Sequence, residues 1–418
     1  GVGMADIENQ VPVDADTPFL VGSISKSFTA LAVMTLVEAG KIDLDAPIRR
    51  YLPDAPIDNP WEATHPVTVA QVLEHTAGFD DLSLRNFVTE RHNLPVQTAV
   101  PESAAAFRVR WPPGQRYSYS NPGYLLAGAL IEKVSGESFD DYLEQKVLRP
   151  LGMHAASYRY DAESGAAQGY KDALAREIYP HAGDRPAGAL RASARELSGF
   201  VLAMMNRQLP IVNRESLQRI ETPTTSAAAR AGLTTAYGLA NEGLERSGFS
   251  LRRHTGGVPG FSAYYAYEAE HGFGFVVLIN RMVAPKVVTD VIIEFLTRDI
   301  PAPAKSARAL SADEAAQYAG YYRTASPGMS LFRFLDLLLD VASVSADGDG
   351  LRFSPVLGES EHWVALGEHR FRAENDLSAT YAFVPQSDGR FVLTGRREYL
   401  EPGSALSALL PVGSRAPA

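Results

Sequence analysis

The reading turns on Phe19-Leu20-Val21-Gly22-Ser23-Ile24-Ser25-Lys26-Ser27-Phe28, continued by Thr29-Ala30-Leu31-Ala32-Val33-Met34-Thr35-Leu36-Val37-Glu38-Ala39-Gly40. Phe28, Leu31, Met34 and Leu36 recur near helical spacing, a serine stands at the start, and Gly40 suits the position just past a helix C-terminus. The pattern predicts a helix apolar enough to be largely buried. Ser23 and Lys26 stand three residues apart, so on a helix they share a face and the ammonium can reach the hydroxyl. The helix N-terminus adds backbone N–H groups beside the serine, which suit a developing oxyanion. Burial among apolar neighbours pulls a lysine towards the range of a useful base. Taken alone, S-x-x-K has a plainer meaning, a serine N-cap beside a solvated lysine.

Outward from that helix, the 418 residues are 45% hydrophobic and 21% charged, a globular profile long enough for two or three domains. The net charge of −10 argues against a nucleic-acid-binding face. The best candidate for a membrane span, 331–341, is broken by Arg333, Asp336 and Asp340, so no membrane span is expected. The absence of cysteine excludes a disulfide scaffold, thiolate metal sites and thiol catalysis, and leaves the compartment open. The histidines are scattered without metal-ligand spacing, and no G-x-S-x-G, H-E-x-x-H, P-loop or G-x-G-x-x-G is present. No metal or cofactor is called for.

Residues 58–224 read as mainly helical and loop-rich, with helical periodicity at 69–74, 124–135 and 194–206. The period then changes. Residues 261–267 and 273–280 read as two strands joined at His271-Gly272, and 287–298 is helical again. This predicts an α/β domain with a helical insertion: 1–57 with 225–300 as its α/β part, 58–224 as its helical part. Pro301-Ala302-Pro303-Ala304 reads as a linker. Beyond it, Ser311-Ala312-Asp313-Glu314 signs a short capped helix, Asp347-Gly348-Asp349-Gly350 a hairpin turn, and 305–418 a small antiparallel barrel or sandwich. Acidic pairs such as Asp80-Asp81 read as solvated surface.

Two further stretches carry chemistry. In Tyr119-Ser120-Asn121 a tyrosine beside a cation can act as a phenolate base, and an amide two residues on can hold a substrate carbonyl. The plainer meaning is an asparagine capping the helix that starts near Pro122. In His254-Thr255-Gly256-Gly257 the glycines let a substrate approach the backbone, whose N–H groups suit an oxyanion, although a lone histidine in a polar loop is commonly structural.

Together and in this order, the three resemble the penicillin-recognising serine hydrolases: class C β-lactamases, D,D-carboxypeptidases, D-aminopeptidases and family VIII carboxylesterases. Val72-Leu73-Glu74-His75-Thr76-Ala77-Gly78-Phe79 and Trp111-Pro112-Pro113-Gly114, leading to Tyr119-Ser120-Asn121-Pro122-Gly123-Tyr124, are similar to that family's other conserved segments. The resemblance covers about residues 1–300. It implies a β-lactamase/penicillin-binding-protein-like antiparallel sheet with flanking helices, Ser23 as acylated nucleophile, and Lys26 with Tyr119 as proton-transfer pair. It further implies Asn121 as ligand of the substrate amide, His254 on the opposite wall, Thr255 and Gly256 lining the site, and the N–H groups of Ser23 and Gly257 as oxyanion hole. His75 is expected to be structural. The implied substrate is a small ester or D-amino-acid-type amide; alternatives are a β-lactamase or D,D-carboxypeptidase, or an inactive scaffold or binding module.

Two departures bear on this. The family carries a complete strand ahead of the one matched by Gly1-Val2-Gly3-Met4-Ala5, so one strand is expected to be missing or otherwise supplied. The triplet begins with His254 where class C enzymes have a lysine, which removes a permanent charge for a β-lactam carboxylate. Residues 305–418, with Tyr318-Ala319-Gly320-Tyr321-Tyr322-Arg323 at their start, resemble the lipocalin-like domains appended to some members, with cleft capping or self-association as roles. A homo-oligomer and a periplasmic or secreted location are compatible with the resemblance. Loops 80–101 and 170–189 are expected to shape the acyl pocket.

Overall fold

In the computed structural model, residues 1–81, 93, 95–161, 164–171, 175–177, 185–301, 303–330, 333–395 and 399–403 are described. The expected pocket loops 80–101 and 170–189 lie partly outside these residues, as does Ala302 of the linker.

The helix containing Lys26 runs Ser25–Glu38 behind a 3₁₀ turn, Gly22–Ile24, and ends at Ala39 with Gly40 at φ +68°. It is buried nearly all round, from Ser25 through Met34, which is why its sequence shows little amphipathic contrast. Around it pack the helices Asn121–Ser135 and Arg185–Gly188. The first of these begins earlier than periodicity alone indicated. Ser120 is its N-cap, its Oγ accepting the Gly123 N–H, and Pro122 sits in the first turn where a missing N–H costs nothing.

Four antiparallel strands form a sequential meander: Glu242–Arg246, Phe249–Val258, Phe261–Glu268 and Phe273–Ile279. Strand Phe261–Glu268 is buried on both faces, and its side chains divide by alternation. Ala263, Tyr265 and Tyr267 join the main core with the Lys26 helix, whereas Tyr264 and Ala266 pack with Ile293 of helix Lys286–Thr297. Helix Ala194–Met205, opened by a Ser193/Glu196 capping box, also covers the sheet. The N-terminal strand Met4–Asp6 pairs with Val11–Pro12 rather than with this sheet.

The C-terminal part is a closed eight-stranded antiparallel barrel, so of the two all-β forms expected the barrel is the one adopted. It is preceded by helix Ala312–Tyr318, held by the Ser311/Glu314 capping box. Asp347 pairs with Gly350 across a two-residue turn with Gly348 at φ +62°. Trp363, Leu351, Phe371, Phe383 and Leu393 fill its interior. Its seam with the first domain is apolar at Ala228, Leu233, Ala236, Ala379 and Ala382. Beside that cluster the Glu245 carboxylate accepts the N–H groups of Leu377 (2.9 Å) and Ser378 (3.3 Å) and the Ser378 hydroxyl (2.8 Å). Among the described residues, no helix is long and apolar enough to cross a membrane.

Candidate active site

Ser23 lies in the 3₁₀ turn ahead of the long helix, and two glycines make that position possible. Gly22 adopts φ +53°, a conformation that side-chain-bearing residues rarely take. Gly256, on the strand Phe249–Val258, passes so close that a Cβ there would lie 1.9 Å from the Val21 carbonyl oxygen and 3.3 Å from the Ser23 nitrogen. A Cβ on Gly22 would in turn come within 2.9 Å of the Gly257 nitrogen. Strand and turn therefore meet backbone to backbone, with the Ser23 and Gly257 nitrogens at the same junction, while the Cβ direction of Gly257 is open. The Ser25 hydroxyl locks the turn: it donates to the Gly22 carbonyl at 2.6 Å and accepts the Leu190 N–H at 2.9 Å.

Lys26 is fully buried, and its Nζ donates to Ser23 Oγ at 3.0 Å, Asn121 Oδ1 at 2.6 Å and the Ala187 carbonyl at 2.7 Å. Three acceptors match the three N–H groups of an ammonium, which is how a buried cation is tolerated. The same Nζ lies 4.9 Å from the centre of the Tyr119 ring. The structure thus brings Ser23, Lys26, Tyr119 and Asn121 into one place from segments nearly a hundred residues apart.

Asn121 is oriented by a residue that the sequence reading misjudged. Asp81 is half-buried, and its Oδ1 accepts both the backbone N–H of Asn121 (2.9 Å) and its side-chain N–H (3.0 Å). Taking both donors with one carboxylate leaves the amide oxygen turned towards Lys26. The expectation that Asp80-Asp81 is solvated surface is therefore corrected: a carboxylate facing an amide and a helix N-terminus is favourably placed when partly buried. Nothing local in the sequence marks this, because the partner is 40 residues away.

His75, expected to be structural, adopts φ +58° and accepts the Ser120 N–H on Nδ1 at 3.1 Å. Its ring lies 4.1 Å from that of Tyr119 and 4.7 Å from that of Tyr237, centre to centre, so it backs the tyrosine that faces Lys26. Glu74, fully buried, accepts the N–H and hydroxyl groups of Thr224 and Thr225 and pairs with Arg219 at 2.8 Å, tying this loop to 222–225.

His254 is buried. Its Nδ1 donates to the Thr255 carbonyl at 2.7 Å, and its Nε2 meets the Tyr237 hydroxyl at 2.7 Å. Tyr237 has no motif to announce it, yet it joins His254 to the His75–Tyr119 stack. Burial pushes the hydroxyls of Tyr237 and Tyr124 well above the ordinary tyrosine range, so both remain neutral hydrogen-bonding groups. Thr255 and Gly256 line the same strand, paired with Tyr264 and Ala263.

One group among the described residues has the mutual closeness of metal ligands: Glu268, Glu270 and His271. It belongs to a hairpin turn in which Glu268 accepts the N–H groups of Glu270 (3.0 Å) and His271 (2.5 Å), a sufficient reason for its geometry.

A comparison with known families matches residues 1–295 to the family model "Beta-lactamase". The chain is 24% identical over 298 residues to protein flp of Staphylococcus aureus (strain NCTC 8325 / PS 47), a match covering 69% of this chain and 58% of that relative. The chain thus spans little more than half the length of that protein. Among solved structures, the octameric penicillin-binding protein homologue from Pyrococcus abyssi superposes with a TM-score of 0.61 at 24% identity, covering 95% of this chain and 91% of that one. The D-amino acid amidase from Ochrobactrum anthropi SV3, in complex with L-phenylalanine amide, gives 0.59 at 23% identity, over 72% and 89%. These two likenesses concern the fold, and the first extends through the barrel. With the family model covering well over half its length, this chain belongs to the Beta-lactamase family.

Proposed function

We propose that the protein is a serine hydrolase that forms an acyl-enzyme at Ser23 and acts on small carboxylic esters or D-amino-acid-type amides. The observation that carries the reading is the 3.0 Å contact between Ser23 Oγ and a fully buried Lys26 Nζ, beside the Tyr119 ring. With Lys26 as an ammonium donating to Ser23 Oγ, its partner Tyr119, as the phenolate, takes the proton of that oxygen as it attacks the carbonyl carbon, so the two act as the proton-transfer pair. The N–H groups of Ser23 and Gly257 receive the oxyanion, and Asn121 Nδ2, held by Asp81, borders the space of a substrate amide. Collapse returns the proton to the departing alkoxide or amine and leaves the acyl group on Ser23. Water, deprotonated by the same pair, then releases the acid and regenerates the serine.

A β-lactamase or D,D-carboxypeptidase reading draws support from the penicillin-binding protein homologue among the structural relatives. Against it stands His254, whose ring nitrogens meet Thr255 and Tyr237 where a lysine would present a charge to a carboxylate. The octameric state of that relative makes self-assembly a reasonable expectation for this chain too. Light scattering of the purified protein tests that.

The deciding experiment is hydrolysis of p-nitrophenyl butyrate and of D-phenylalanine amide by the wild type and by Ser23→Ala, with nitrocefin alongside. Turnover of ester or amide lost by at least about 10³-fold in the variant supports the reading. Equal turnover in both proteins sinks it, and preferential nitrocefin turnover transfers it to the second reading.

A further inference from the structure

We infer that the barrel domain supplies a positioning element for the catalytic site: residues 325–330, which brace the two loops that deliver Asp81, Tyr119 and Asn121. The inference rests on the serine-hydrolase reading for its kinetic consequence, but its geometry stands apart from it. The segment leaves the barrel strand Gly320–Thr324 and precedes helix Arg333–Leu339. Its first residue is fastened to the barrel through the Ala325 N–H on the Tyr399 carbonyl at 2.9 Å.

From there it reaches the site loops by two arms. In the first, the Pro327 carbonyl accepts Arg110 Nη1 at 2.7 Å, and the same guanidinium donates to the carbonyls of Gly78 (3.3 Å) and Phe79 (2.7 Å) and to Ser118 Oγ (2.5 Å). Ser118 is the residue before Tyr119. Arg110 is only 13% exposed and stacks over Trp111 at 4.4 Å, so its fork is held in one plane. In the second arm, the Ser330 N–H donates to Asp80 Oδ1 at 3.0 Å, and the Asp80 carbonyl accepts the Ser120 hydroxyl at 2.8 Å. Asp80 is the residue before Asp81. Arg116 adds a tether, donating to the Ala325 carbonyl at 2.5 Å and pairing with Glu401 of the last barrel strand at 2.6 Å.

Each arm therefore ends one residue short of a group that touches the Lys26–Asn121–Tyr119 cluster. A displacement of about 1 Å at such groups is enough to slow an acyl transfer by orders of magnitude. Arg110 is a positioning residue in this scheme, and the barrel is part of the site's support.

The test uses the full chain and two variants, Arg110→Gln and Ser330→Pro, the second lying on the strap and removing the N–H that bonds Asp80, with Ser330→Ala as the control for loss of the hydroxyl. Labelling of Ser23 by a fluorophosphonate is followed as a rate, ester hydrolysis as kcat and KM, and amide exchange over 76–81 and 117–121. The expected result is labelling slowed about tenfold in Arg110→Gln and about threefold in Ser330→Pro, KM held within about twofold, and faster exchange in both segments. Exchange unchanged in both variants overturns the inference, as does faster exchange with an undiminished labelling rate. If the wild type takes no label, the serine-hydrolase reading fails, and exchange alone then decides whether the strap braces the loops.

Discussion

Around Lys26 the interior of the β-lactamase-family domain is polar, with Lys26, Glu74, His75 and His254 buried within the same fold and each bonded to named partners. Inside the barrel the material is aromatic. The Trp363 ring stacks on Tyr381 at 4.0 Å and Phe353 at 4.6 Å, and Tyr318 packs on Phe383 at 4.6 Å. The difference teaches where function can reside. Buried ionisable groups cost folding energy and persist where their geometry is used, whereas an interior filled with rings stabilises and leaves the outer loops as the barrel's working surface. The segment 325–330 is such a loop.

The largest effect that would break this contrast is at Lys26. Lys26→Met is expected to lower ester turnover by about 10³-fold or more while changing the melting temperature little, because removal of a buried charge offsets the acceptors left without a donor. A variant that stays active would show the polar interior to be structural after all. Next in size, Trp363→Ala is expected to destabilise the barrel by about 3–5 kcal/mol through a large cavity, read by urea unfolding. Stability left within about 1 kcal/mol would mean that the ring stack is loosely packed.

Asp81→Ala is expected to lower kcat by roughly 10–100-fold, with Asp81→Asn retaining more activity because its amide oxygen can still accept the Asn121 N–H groups. Equal losses in the two variants would point to charge rather than orientation as the role of Asp81.

The smallest effect sharpens the picture at the seam between the regions. Burial pushes the Asp376 carboxyl up to about 6, with a further push from Glu245 and Glu361 and an opposing hydrogen bond from Thr380. A carboxyl raised in the folded state binds more protons there than in the unfolded chain, so its contribution to stability falls as pH rises from about 4 to 6. Asp376→Asn is therefore expected to be more stable than the wild type at pH 7 by about 1–2 kcal/mol, after allowance for solvent screening, with the advantage gone near pH 4. Parallel pH profiles for the two proteins would refute this.

Much of this architecture was legible beforehand. The Lys26 helix, the hairpin of strands around His271, the capped helix at Ser311 and the Asp347 turn all rest on patterns spanning a few residues, and each forms where its pattern lies. Helix Asn121–Ser135 starts within a residue of the place that the Asn-Pro pair suggests, but its cap is Ser120 and not Asn121, and apolar periodicity, which begins at Tyr124, cannot see a serine cap four residues upstream. Asp81, Tyr237 and Arg110 carried no signal, since an aspartate in an acidic pair, a tyrosine in a loop and an arginine beside a tryptophan have ordinary surface meanings.

What the sequence by itself determined is whatever depends on neighbours along the chain: the one-turn spacing that sets Lys26 against Ser23, the hairpin of strands around His271-Gly272, and the Ser311/Glu314 capping box. Only the tertiary structure decided what these elements meet. The Asp81 grip on Asn121, the His254–Tyr237–His75 chain behind Tyr119 and the Ser330 bond to Asp80 join residues from 17 to 250 positions apart. The physical reason is that local spacing encodes which face a side chain shares, while partners across the fold are chosen by packing of whole elements, which no short pattern records.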